Sequence, residues 1–169
     1  FDFTKKNINK NCLVMPEGIY SECKLMFDFI YSSSLIHKDI NFIIRFHDQF
    51  DSNYFFKKYK KYNKQKNIII SDLSMNDDFK RSSFCLYRGT TGIFQAINNG
   101  LLPIYLDLIS EFNIDPMYLI HKETMYVSEP SQLGVFINKK SDADYLYQKY
   151  TSNKRISKYL FNNYINKNI

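Results

Sequence analysis

Tryptophan is absent from this sequence, and glycine (5), proline (4) and cysteine (3) are scarce in its 169 residues. Set beside the heavy use of asparagine, lysine, isoleucine and tyrosine, that scarcity reads as the coding bias of an AT-rich genome and carries no functional signal of its own. The cysteine shortage says more. Cys12, Cys23 and Cys85 form no C-x-x-C pair, and two of them sit in strongly apolar stretches. An odd, unclustered set excludes a disulfide scaffold and a zinc site and points to a reducing cytoplasm. No apolar run reaches the roughly 18 to 20 residues needed to span a bilayer. Phe1 to Lys10 lack a signal-peptide layout. No G-x-G-x-x-G and no Walker A pattern occur, which argues against a nicotinamide enzyme or a P-loop NTPase. No nucleophile elbow is found either.

The chain does hold ample material for a core. Hydrophobic residues make up 44% and aromatic residues 17%, so a disordered chain is excluded. The length suits one domain and is short for a two-domain enzyme. A first residue of Phe in place of Met leads us to expect a piece of something longer. The net charge of +6 would suit nucleic acid, an anionic membrane surface or a phosphorylated substrate. Charge alone constrains steering more than function.

Periodicity organises the rest. Asn11–Met15 is an apolar run stopped by Pro16-Glu17-Gly18, the pattern of a buried strand and its turn. Leu25, Met26, Phe29, Ile30 and Leu35 then recur at helical spacing, with Ser21 as the expected N-cap. Asn41–Phe46 predicts a second strand, Ser52–Tyr62 a Lys/Tyr-rich surface helix and Asn67–Ile70 a third strand. Ser74 is expected to cap a short helix beginning with the acidic Asn76-Asp77-Asp78. Phe84–Tyr87 is the fourth strand. A helix follows from Thr90 or Thr91, closed by Asn99-Gly100, and Leu102–Leu106 is the fifth strand. Beyond a loop with Glu111 and Pro116, a further strand is placed at Met117 to His121 and closing helices at Asp142 to Lys167. Strands that are continuous apolar runs alternating with helices imply an α/β domain: a Rossmann-like, doubly wound parallel sheet of about six strands, covered on both faces. Residues 1–169 are expected to form that one domain.

In such sheets ligands bind beyond the carboxyl ends of the strands. The loop Arg88-Gly89-Thr90-Thr91 offers a glycine that frees the backbone, two hydroxyls at a helix start, and a permanently charged planar donor. The same spacing also fits a threonine-capped helix with Arg88 in a surface ion pair. His47 closes the second strand and is a candidate phosphate donor or catalytic acid; an ordinary loop histidine paired with Asp48 would look alike. Glu17-Gly18 in the first turn, and Asp107 with Glu111 after the fifth strand, lie at the same sheet edge. The Lys57–Lys66 run mixes base and aromatic as nucleic-acid and headgroup binders do, but such runs are more often a solvated helix face, and nucleic acid is not expected as a partner. Asp77-Asp78, Asp142 and Asp144 lack metal-ligand spacing, so no metal is expected.

The string YRGTTGIFQAINNGLLPIYL, residues 87–106, resembles the donor-site segment of GT-B glycosyltransferases of surface and capsular polysaccharide synthesis. There a Ser/Thr-rich turn opens a helix ending in Asn-Gly, followed by a proline-containing strand. Upstream, IIRFHD resembles the strand ending in His-Pro of sialyltransferase-like, polysialyltransferase-like and glycerophosphotransferase-like members, and IIISDLSMNDDFKRSSFCLYRG resembles the next strand, short helix and strand of those enzymes. The likeness runs from Cys12 to Leu106. It implies the C-terminal, nucleotide-sugar-binding half of a two-domain enzyme, with Gly89, Thr90 and Thr91 on the donor phosphates, His47 beside them and Gly18 lining the cleft. Two departures stand out. His47 is followed by Asp48, where the family pattern has Pro. Gln95 stands where many relatives carry a glutamate on the ribose hydroxyls; an amide still bonds a diol but lacks the charge.

The expected substrate-binding set is therefore Gly18, Arg88, Gly89, Thr90, Thr91, Gln95 and Glu111, with His47 catalytic, and with no cofactor beyond the nucleotide-sugar donor itself. The resemblance puts the glycan acceptor on a missing N-terminal domain, makes the fragment inactive alone, and places the enzyme in the cytoplasm, at the inner face of the membrane where peripheral association is allowed. Two other readings stay open: half of a sugar-nucleotide epimerase, and a non-catalytic nucleic-acid- or membrane-binding module.

Overall fold

Burial forces the strands of this chain into one sheet. Val14, Ile44, Leu86 and Ile104 are apolar, as are the neighbours of each within its strand, so the central strands must be covered on both faces. The computed structural model describes residues 9–118 and 125–138. In it β1 (Asn11–Met15), β2 (Asn41–Ile44), β3 (Ile68–Ile70), β4 (Phe84–Tyr87), β5 (Leu102–Leu106) and β6 (Met125–Val127) pair in parallel in the order β3-β2-β1-β4-β5-β6. Alternate residues serve two cores. Cys12, Val14, Phe42, Ile44, Leu86 and Ile104 face α1 (Tyr20–Ile36), α2 (Ser52–Lys58) and α5 (Pro130–Asn138). Leu13, Met15, Ile43, Cys85, Tyr87 and Tyr105 face α3 (Met75–Arg81) and α4 (Gly92–Asn98). This is the Rossmann-like α/β architecture that the periodicity implies. The chain runs outward from β1 to β3, returns beside β1 as β4 and runs outward the other way, so strand order reverses between β1 and β4.

Several local expectations need correction. Helix α1 starts at Tyr20, and its N-cap position Ile19 has no side-chain cap; Ser21 lies inside the first turn. A serine cap stabilises by only ~1 kcal/mol, whereas the Tyr20 ring packs against Phe50, Phe55 and Tyr59 and draws the helix start back past Ser21. The Ser52–Tyr62 helix divides: α2, capped by Asp51, ends at Lys58, and a 3-10 turn spans Lys60–Lys64. Four lysines within five positions repel along an α-helix, and the tighter turn brings Tyr62 in to stack on Phe55 and donate to Asp28 Oδ1 at 2.8 Å. Strand β2 ends at Ile44, two residues early, because the Arg45 side chain leaves the sheet for Leu73 O and Asp78.

Ser74 does cap α3, accepting from Asp77 N at 3.2 Å. Asn99-Gly100 does close α4, with Gly100 at φ 80°, the left-handed region that favours glycine. The strand beside β5 is Met125–Val127; of the strand expected at Met117 to His121, only Met117 and Tyr118 lie within the described residues. Residues 116–118 form a turn instead, because Asp115 Oδ1 accepts from Met117 N at 2.8 Å and Met117 is buried. The closing helices placed at Asp142 to Lys167 lie outside the described residues. Helix α5 is not anticipated by the sequence pattern; its start is fixed by Pro130 in the first position and by Gln132 Oε1, which accepts from Ser128 N and Glu129 N.

Candidate functional site

At the carboxyl ends of β1 and β4, where strand order reverses, the following segments leave on opposite faces of the sheet, the place at which open α/β sheets bind ligands. One wall is the turn Pro16-Glu17-Gly18 after β1; the other is Arg88-Gly89-Thr90-Thr91 after β4. These meet at Gly89, where a Cβ would run into the Glu17 carboxylate and lie 2.8 Å from Ile114 Cδ1, so any larger residue would have to push those two side-chain ends aside. His47, after β2, joins the same edge: a Cβ on Gly18 would sit 3.5 Å from His47 Cγ and Nδ1, ordinary contact. His47 Nδ1 accepts from Gln49 N at 3.3 Å, which in a neutral ring leaves Nε2–H as the free donor.

Arg88 is the surprise of the site. The sequence leaves it either on a ligand or in a surface ion pair; it is 2% exposed and paired with Glu22, in the first turn of α1, whose side chain is 18% exposed. Its Nη2 donates to Phe112 O at 3.0 Å, and Nε has no partner among the described residues. The guanidinium thus ties the β4 turn to α1 and to the loop after β5. Thr90 Oγ1 accepts from Gly92 N at 3.2 Å. Thr91 is exposed, has helical backbone angles and contributes no side-chain cap, so its hydroxyl is not used by α4. Burial first, and the Glu22 charge second, push the Glu17 carboxyl above its ordinary range, with Arg88 and His47 acting in the opposite direction.

Gly18 thus lies against His47, and Gly89 against Glu17, with Thr90 and Thr91 following in the same turn and Arg88 buried. Gln95 and Glu111 stand apart: Gln95 is exposed on α4, Glu111 is exposed in the loop after β5, and neither side chain bonds to the Arg88 corner among the described residues. The carboxylates escape a reading of the sequence. Glu22 is visible there as an acid near a helix start, but its partner lies 66 positions away. The buried Asp78, which binds Arg45, Arg81 and Ser71, reads only as helix-start charge.

No protein-family model matches the chain, and neither does any curated protein. Among solved structures, its fold is similar to that of TarM, with a TM-score of 0.62 at 9% identity. The match covers 95% of this chain and 34% of TarM, so the chain spans about a third of that protein's length. At this identity the likeness is one of architecture and assigns no residue.

The Lys57–Lys66 face is partly structural. Lys61 pairs with Asp28 at 2.6 Å, and Lys58 lies 5.6 Å from the ring centres of both Tyr20 and Tyr59. Burial raises the Asp28 carboxyl, but hydrogen bonds from Lys24, Lys61 and Tyr62 outweigh it and hold the group down to about 2. Lys57, Lys60 and Lys66 are exposed. The three thiols are free and buried, and burial pushes Cys12 and Cys23 up to about 12, which makes them poor nucleophiles. Among the described residues no three His, Cys, Asp or Glu side chains converge as metal ligands, and no helix is long and apolar enough to cross a membrane.

Proposed function

We propose that this chain is the nucleotide-sugar donor domain of a glycosyltransferase acting in cell-surface polysaccharide synthesis. What supports the reading is that the Gly89 turn packs against Glu17, and Gly18 against His47, at the carboxyl ends of the strands where strand order reverses. The donor phosphates lie against the backbone of Gly89 to Thr91, with the Thr90 and Thr91 hydroxyls and the His47 Nε2–H as donors. Arg88 supplies fixed positive charge from behind. His47 is the group suited to protonate or hydrogen-bond the departing phosphate, which makes it the catalytic candidate. Gln95 serves the ribose hydroxyls and Glu111 the sugar. No metal is needed, because the leaving phosphate is stabilised by hydrogen-bond donors and basic groups.

In this reading residues 1–169 are one domain of a larger enzyme. A second domain holds the glycan acceptor, and the enzyme works in the cytoplasm at the inner face of the membrane. The exposed Lys57, Lys60 and Lys66 provide charge for resting on anionic headgroups. The test is thermal stabilisation by uridine and cytidine nucleotides and their sugars. A ligand at a hundred times its Kd stabilises by ~2.7 kcal/mol, a rise of roughly 5 to 10 °C for a chain of this size. His47→Ala combined with Thr91→Ala, both exposed positions, should abolish that rise. Absence of any shift with every nucleotide of the panel counts against the proposal.

A further inference from the structure

The geometry points to a strap: the loop after β5, residues 107–118, competes with an anionic ligand for the Arg88–Gly89 corner. The inference rests on the donor-site reading and adds how that site is opened. Three contacts hold the strap. Phe112 O accepts from Arg88 Nη2 at 3.0 Å, the Tyr105 hydroxyl accepts from Ile114 N at 3.1 Å, and the Ile114 side chain sits on Gly89 beside the Glu17 carboxylate. The first and third occupy features that a phosphate would use, the guanidinium and the α-carbon face of Gly89, and the second holds Ile114 in place there.

The strap is also built to let go. Residues 109–114 are all exposed, and Ile109 (92%) and Phe112 (89%) contribute almost nothing to the core, so the grip on Arg88 is made by a backbone carbonyl alone. At the far end the chain is fixed. Asp115 is buried, accepts from the Tyr87 hydroxyl at 3.0 Å and from Met117 N at 2.8 Å, and Met117 is buried against the second core. Lifting residues 109–114 about this anchor gives up a few hydrogen bonds and little apolar burial, which puts the segment at the low-stability end of the fold. An anion that takes Arg88 and Gly89 binds only the lifted form, so its apparent affinity is reduced by the fraction of molecules that are strapped.

The experiment is calorimetric titration of the 169-residue chain with inorganic pyrophosphate, for the parent, Tyr105→Phe and Ile114→Ala. Tyr105→Phe keeps the ring packed against Tyr87 and Tyr126 and removes only the acceptor for Ile114 N. Ile114 is 38% exposed, so trimming it leaves the fold intact. Losing one such hydrogen bond shifts the strapped-to-open ratio, and tightens apparent pyrophosphate binding, roughly five-fold. Hydrogen exchange on the parent supplies the second readout: saturating pyrophosphate should speed exchange of the Ile114 amide and leave the Met117 amide protected. Equal affinity in all three proteins, or slower Ile114 exchange on binding, overturns the strap and leaves the donor-site reading standing. Pyrophosphate binding by none of the three overturns both.

Discussion

Replacing Arg88 by methionine isolates the contact on which the crevice geometry depends. Methionine keeps most of the buried stem and removes the guanidinium, and with it the Glu22 pair and the bond to Phe112 O. Breaking a buried ion pair from one side costs roughly 3 to 5 kcal/mol. Glu22 retains some solvent contact at 18% exposure and can turn outward, which sets the cost at the low end. The lost bond to Phe112 O adds about 1 kcal/mol, and relief of the unpartnered Nε offsets about as much. The net loss is about 3 kcal/mol, or roughly 6 to 12 °C in Tm for a chain of this size. Scanning calorimetry on Arg88→Met, Glu22→Gln and the double variant closes the cycle. The double variant should be hardly less stable than Arg88→Met alone, because each change removes the same interaction. Additive losses, or an Arg88→Met protein melting within about a degree of the parent, would refute the buried pair.

Two further outcomes come from other parts of the fold. Asp28 has a carboxyl held down to about 2, below the ordinary 3.8, so its contribution to stability is complete above the ordinary value and fades as pH falls from about 4 through about 2. Asp28→Asn should cost roughly 1 kcal/mol at neutral pH in urea titrations, and the difference from the parent should shrink across that acid window; a constant difference would argue against the Lys24–Asp28–Lys61 cluster. Gly134 of α5 lies against the His37 ring, where a Cβ would come within 2.7 Å of Nδ1, and that ring is held by its Nε2 bond to Pro130 O at 3.0 Å. Gly134→Ala should therefore destabilise by about 1 to 2 kcal/mol through overpacking, despite alanine's better helix propensity. In a His37→Ala background the same change should become neutral or stabilising, as chemical denaturation would show.

Legibility in the sequence tracks the range of the interaction concerned. Strands β1, β4 and β5 can be bounded from sequence because each is an unbroken apolar run ended by a breaker or a charge: Pro16, Arg88, Asp107. Ser74 and Gly100 are legible because capping is local. The start of α1 and the break after α2 are not, since both are decided by rings that meet only in the folded chain, Tyr20 with Phe50 and Tyr62 with Phe55. Met125–Val127 is hard to single out because Met117–His121 is similarly apolar in sequence, and no local pattern announces the Asp115 bond that makes a turn of residues 116–118. At the site, placement beyond the strand ends comes from periodicity and topology rules. The fate of Arg88 does not, because no local pattern announces a partner in the first turn of a helix on the other wall.

Where a nucleotide touches this chain decides the central claim most directly. Backbone amide resonances of the isotope-labelled protein, followed while UDP and then CMP is added, locate that contact residue by residue. Shifts concentrated at Gly18, His47 and Gly89 to Thr91, with Cys12 and Leu102 at the far ends of their strands unmoved, are the predicted result. Shifts centred on Lys57 to Lys66, or none at saturating nucleotide, would contradict it.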